Sequence, residues 1–277
     1  MCYRACMLFV SVIAATTVTS GETPAFDVAS VKVNRSGAQS TRIAAPRGTG
    51  RFDVTNAMVH TLILNAFGLQ DFQLAGGPAW ISNTRFDIAA RTNPAATRDD
   101  ISAMLRSLLA DRFHLETHRE PREMSTYALV LTREGRLGPQ ITPSTTDCEA
   151  VIRAAAAAPP GPPPTSANGQ ILCGMTMTPS LLNAGSLSMA RLATTLSGIV
   201  GRMVKDETGL TGTYDLQLTF TPERGGGPPG GPAGAPVDAN APSIFAALNE
   251  QLGLKLDPRR APVDVLVIDR VEMPTED

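Results

Sequence analysis

The stretch Val204-Lys-Asp-Glu-Thr-Gly-Leu-Thr-Gly-Thr-Tyr-Asp-Leu-Gln-Leu-Thr-Phe220 decides the fold, because the unit that contains it occurs twice. Its two glycines permit positive φ and close approach of backbones, so Thr208–Gly212 reads as a turn. The alternation from Tyr214 onward reads as a strand. A helix with Met189, Leu192, Ala193 and Leu196 on one face precedes it and ends near Gly201. Earlier in the chain the same order recurs: a helix over Val59–Phe67 ending at Gly68, the turn Gly76-Gly-Pro78, and the strand Arg85–Ala90. Phe86-Asp-Ile88 matches Tyr214-Asp-Leu216, and Ile101, Leu105 and Leu109 match Ile244, Leu248 and Leu252, each 143 positions on. The expectation is an α+β protein of two related halves, each with helices packed on a small mixed sheet.

Working outward, Phe26–Val33 alternates as a strand, Asn34–Gly50 reads as a loop or loose hairpin, and Arg51–Val54 reads as a second short strand. Thr55 or Asn56 is expected to cap the following helix, and Thr97 the helix with Ile101, Leu105, Leu108 and Leu109 on one side. Phe113–Thr117 alternates, and after Arg119–Glu123 the stretch Thr126–Thr132 forms the strand that closes the first half, residues 24–134. Residues 135–180, rich in Ala and Pro, read as an insert with little capacity for burial. The second half, 181–274, contains a Gly/Pro-rich loop at 224–242 expected to be disordered, a helix from Ser243 to Gly253, and the apolar strand Val263–Val271.

Composition bounds the function. The net charge of −2 gives no basic footprint for nucleic acid and no polybasic arm for a membrane surface. Residues 1–20 combine Arg4, the apolar run Met7–Ala15 and the small residues of Val18-Thr-Ser20, which is the pattern of a signal peptide. That run is far short of the ~20 residues that span a bilayer. The chain is expected to be exported, periplasmic or extracellular, with no span after the signal. Removing the signal leaves Cys148 and Cys173, and an even pair in an exported chain reads as a disulfide.

Chemistry is sparse. Of three histidines, His114 and His118 are four apart, but on a strand that spacing separates them by roughly 13 Å. No Gly-x-Ser-x-Gly elbow, paired lysine motif or phosphate loop is present, and no metal or cofactor is expected. The candidates are the repeated pairs Phe86-Asp87 and Tyr214-Asp215, with Trp80 beside the glycine turn. Two carboxylates could perform acid–base work if they converged, and the three aromatic rings could stack a ligand. The preferred reading puts each Asp on the solvated side of its strand, each neighbouring aromatic inward, and Trp80 in the core.

Phe26-Asp-Val-Ala-Ser-Val-Lys32, Gly76-Gly-Pro-Ala-Trp80, Arg85-Phe-Asp-Ile88, Asp206–Asp215 and Pro262–Glu272 together resemble a soil-associated family of exported bacterial proteins, known as a domain of unknown function. In some members that domain is appended to membrane metallopeptidases of the antibiotic-sensor type, which implies an extracytoplasmic sensing or interaction role. No His-Glu-x-x-His segment is present here, so the peptidase activity does not transfer. Each half also resembles the short N-terminal domain of secretins and TonB-dependent receptors, a module that contacts partners in the periplasm. The expected function is a non-enzymatic binding or interaction protein of the cell envelope, its partner an envelope protein or a small ligand. The rivals are a hydrolase built on Asp87 and Asp215, and a small-molecule sensor.

Overall fold

The computed structural model describes residues 24–38, 40–46, 48–157, 164–166, 169–221 and 241–275. Residues 1–20, expected to be a signal peptide, lie outside them, as do residues 158–163 of the proline run and most of the 224–242 loop.

Two copies of one unit follow each other. The first comprises β1 (Val28–Val33), β2 (Arg42–Ala44), β3 (Arg51–Met58), α1 (Val59–Phe67), β4 (Leu74–Gly76), β5 (Arg85–Arg91), α2 (Arg98–Phe113) and β6 (Glu116–Leu131). The second comprises β7 (Ile141–Pro143), α3 (Cys148–Ala157), β8 (Gly174–Thr178), β9 (Leu181–Ser188), α4 (Met189–Val200), β10 (Val204–Asp206), β11 (Thr213–Thr219), α5 (Ile244–Ala247) and β12 (Leu254–Arg270). A π-helical turn, Leu248–Leu252, continues α5. The α+β class and the duplication are therefore present as the sequence implies.

Each copy forms one sheet of its own, in the order β1-β5-β3-β2 and β7-β11-β9-β8. A third sheet, β10-β6-β12-β4, belongs to both. Its centre is the antiparallel ribbon of β6 and β12, paired from Leu254 opposite Leu131 to Arg270 opposite Glu116 with a bulge between Ile268 and Arg270. The outer strands are exchanged: β4 of the first copy lies parallel to β12, and β10 of the second lies parallel to β6. One face of the ribbon serves both cores. Leu115, Leu266 and Ile268 pack into the first with α1 and α2, and Leu129, Leu254 and Leu256 into the second with α4 and α5. Each long strand thus starts in its own core and ends in the other, so neither half contains all of its own core.

Local chemistry explains the boundaries. Gly68, Gly201 and Gly253 end their helices with left-handed φ. Thr97 accepts a hydrogen bond from the Asp100 amide while the Asp100 carboxylate accepts from Thr97, a reciprocal capping box. Ser243 caps α5. Gly77 turns beside β12 at φ 83°, a backbone conformation that residues with a Cβ rarely adopt.

Four expectations are corrected or narrowed. First, neither Thr55 nor Asn56 caps α1: β3 continues to Met58, which occupies the cap position without a side-chain bond, and Asn56 is held at φ 58° in a bulge. Second, the closing strand does not begin at Thr126: β6 runs from Glu116 through Arg119–Glu123 to Leu131. Prolines 121, 258 and 262 lie in the middle of the ribbon, beyond the reach of β4 and β10, where one side of each strand has no strand neighbour to miss an N–H. Third, of the two alternatives for Asn34–Gly50 it is the hairpin that forms, since β2 pairs antiparallel with β3 and extends the first sheet. Fourth, 135–180 does more than connect: β7 and β8 flank β11 and β9 as β1 and β2 flank β5 and β3, and Ile141 and Ile171 are buried. Short strands of three and five residues bury too few side chains to show a period.

Cys148 and Cys173 form a disulfide, with Cα atoms 5.6 Å apart. It ties the start of α3 to the residue that precedes β8.

Candidate functional site

The two copies of the Phe/Tyr-Asp pair do the same structural work. Phe86 is fully buried and Tyr214 nearly so, each in the core of its own half. Period two then turns Asp87 and Asp215 to the opposite face of the sheet, where the neighbouring strand bulges. At each bulge a residue other than glycine has positive φ, Asn56 in β3 and Ser186 in β9. Asp87 accepts from the Asn56 backbone N–H at 2.8 Å, and Asp215 from the Ser186 backbone N–H at 2.8 Å. Each carboxylate therefore satisfies the amide that the bulge removes from the strand ladder.

In the first half the arrangement is elaborated. Asn34 Nδ2 donates to both oxygens of Asp87, at 2.8 and 2.9 Å. Asn56, buried to 1% exposure, donates through Nδ2 to the Ala38 and Ser40 carbonyls, and its own carbonyl accepts from Thr41 Oγ1 and an Arg85 nitrogen. The bulge, the end of β1 and the loop before β2 are thereby joined. In the second half Ser186 Oγ instead donates to Thr213 Oγ1 at 2.9 Å.

Trp80 is half-buried and meets Phe86 edge-on, ring centroids 6.4 Å apart, and Phe113 also meets Phe86 edge-on, at 5.3 Å. Tyr214 belongs to the other core, its hydroxyl donating to the Thr211 carbonyl at 3.1 Å. Trp80, Phe86 and Asp87 are thus gathered in the first half, and Tyr214 and Asp215 in the second. The structure does not bring the two carboxylates together.

Among the described residues, two of the open hollows are lined by none of these five. One, of about 930 Å³, lies between β3 and the start of α2, with Phe52, Ile101 and Leu105 among its walls. The other, of about 500 Å³, lies between the end of β6 and the π-helical turn and includes Arg133, Arg136 and Glu250. Among the described residues, no three His, Cys, Asp or Glu side chains are grouped to hold a metal ion.

The outer face of the ribbon carries a polar cluster around His118. His118 Nδ1 lies 2.8 Å from Asp269, Glu120 lies 3.7 Å from its other nitrogen, and Arg122 pairs with Glu120. The hydrogen bond to Asp269 raises the His118 pKa, desolvation opposes it, and the charges of Asp269 and Glu120 add to the rise. The Arg122 hydrogen bond lowers that of Glu120. His118 and Asp269 are far apart in the chain, so only the pairing of β6 with β12 could reveal this cluster. His114 is elsewhere, in left-handed conformation at the end of α2.

These features define a class: a duplicated α+β module whose repeated carboxylates and aromatic rings hold its own strands and cores. The chain belongs to the family described as Protein of unknown function (DUF3738), whose model matches residues 60–271, across both copies. No curated protein and no solved structure matches the chain. No helix among the described residues is long and apolar enough to cross a membrane.

Proposed function

We propose that this is an exported, non-enzymatic interaction module of the cell envelope, which binds a partner by adding to an exposed strand edge. One observation carries the reading. The acidic residues that could have served catalysis are each bonded to a bulged backbone amide, in two separate sheets. A pair of catalytic carboxylates has to converge on one substrate. Strand edges, by contrast, supply main-chain donors and acceptors ready for an extended partner. Export follows from the leader-like residues 1–20 and agrees with the pairing of the two remaining cysteines. The resemblance to domains appended to antibiotic-sensor metallopeptidases, and to a soil-associated family, points to the same kind of extracytoplasmic role.

The test is a pull-down from native envelope extract using the oxidised chain without residues 1–20, with Cys148→Ser/Cys173→Ser as control. A saturable partner retained by the intact fold supports the reading. Recovery of no protein, together with turnover of cell-wall fragments, overturns it. A leader-to-reporter fusion followed by fractionation tests export separately. The roughly 930 Å³ hollow favours a second reading, small-molecule sensing, and a thermal shift with cell-wall fragments in the absence of any protein partner would select it.

A further inference from the structure

The sheets offer six edge strands among the described residues: β1 and β2, β7 and β8, β4 and β10. Five of them carry features that discourage pairing with another chain. Strands β2, β4, β7 and β10 are three residues long; β2 contains Arg42, β7 ends in Pro143, and β10 contains Lys205 and Asp206. β1 is longer but carries Lys32. Shortness, charge and proline are the usual means by which edges avoid one another. β8 has none of them. It runs for five residues, Gly174-Met-Thr-Met-Thr178, pairs with β9 on one side, and is exposed at every position except the half-buried Met175.

The difference from β2 is informative, because the two strands hold the same place in the duplicated sheets. The charge-free character also extends well beyond β8. No Asp, Glu, Lys, Arg or His occurs between Arg153 and Arg191, in a chain that is 18% charged. A contact between identical surfaces about a two-fold axis brings residues near that axis against their own copies. Charge there is self-repelling, and an edge without charge is suited to it.

Resting on the interaction reading above, we propose that β8 pairs antiparallel with β8 of a second copy of this chain, joining two four-stranded sheets into one of eight strands. The register that uses all five residues is centred on Thr176. It sets Thr176 opposite Thr176 of the second copy, Met175 opposite Met177, and Gly174 opposite Thr178. Period two puts Met175 and Met177 on one face, and Met175 already packs against the second core. Pairing lays Met175 of each copy beside the exposed Met177 of the other, and so covers a side chain that is 36% exposed in the single chain.

Sedimentation velocity on the oxidised chain without residues 1–20, over roughly 1–500 µM, tests this. The expected result is a reversible monomer–dimer equilibrium. Thr176→Glu and Thr176→Lys, at an exposed position, each weaken it roughly fivefold or more by placing like charges face to face. An equimolar mixture of the two variants restores the dimer as a mixed species. Met177→Lys provides a second disruption at an exposed site, and near-ultraviolet circular dichroism checks that every variant is folded. A chain that stays monomeric throughout overturns the proposal, and so does a dimer with one affinity for wild type, both Thr176 variants and their mixture. Because self-association is measured on purified protein, a monomer that still captures an envelope partner removes the β8 pairing and leaves the interaction reading standing.

Discussion

Replacing Asp87 with Ala isolates the carboxylate's structural work. The Asn56 amide it serves is buried with its residue at 1% exposure, so deletion leaves a donor that water does not reach. An orphaned buried donor costs about 1–3 kcal/mol, and a hydrogen bond to a charged group contributes about 1.5–3 kcal/mol. The two bonds from Asn34 Nδ2 to Asp87 are lost in the same substitution, and with them the anchor of the chain following β1. Together the expected loss is about 2–4 kcal/mol, which for a chain of this size lowers Tm by roughly 5–12 °C. Asp215→Ala removes one bond, to the half-buried Ser186 amide, and should cost about 1–2 kcal/mol. Asp87→Asn keeps an acceptor for Asn56 and should fall between wild type and Asp87→Ala. Calorimetry and urea unfolding on the four proteins give the comparison. An Asp87→Ala chain within about 0.5 kcal/mol of wild type, or one less affected than Asp215→Ala, would show that the bulge amide is satisfied in some other way.

Gly185→Ala should destabilise the second half by about 1–3 kcal/mol in urea unfolding, since its Cβ would overlap the Ile171 carbonyl oxygen and come within 2.6 Å of the Leu172 backbone. His118 should titrate above its ordinary value of 6.5 by NMR, and Asp269→Asn should bring it back down. Because the folded pKa is raised, the small stabilisation from this pair is complete below about pH 6.5 and disappears as pH rises through the folded value. Residues 24–134 expressed alone should not give a cooperative unfolding transition, because β4 loses β12 and the first core loses Leu266 and Ile268; adding residues 135–275 should restore one. A sharp transition for the isolated fragment would refute the exchange of strands as a condition for folding.

The sequence was most legible where periodicity runs long. Val59, Leu62, Ile63 and Ala66 mark the buried face of α1, and Met189, Leu192, Ala193 and Leu196 that of α4, as their spacing implies. The glycines that close these helices, the Thr97 box and the Ser243 cap were equally readable, because each is a contact within one turn. The inward direction of Phe86 and Tyr214 follows from alternation alone. The role of the aspartates beside them does not. A bulge is a property of two strands, and Asn56, 31 positions before Asp87, looks like a helix cap until β5 is placed beside β3.

By itself the sequence determined the α+β class, the duplication, the pairing of Cys148 with Cys173 and most helix limits, all matters of local propensity or internal repetition. Tertiary structure alone decided that the copies exchange strands, that β7 and β8 complete the second sheet, that His118 meets Asp269, and that Asp87 and Asp215 serve separate bulges. Each of these is a contact between residues distant in the chain. Side-chain patterns state which face is buried, but not which strand lies alongside, because every strand offers the same backbone donors and acceptors to any neighbour.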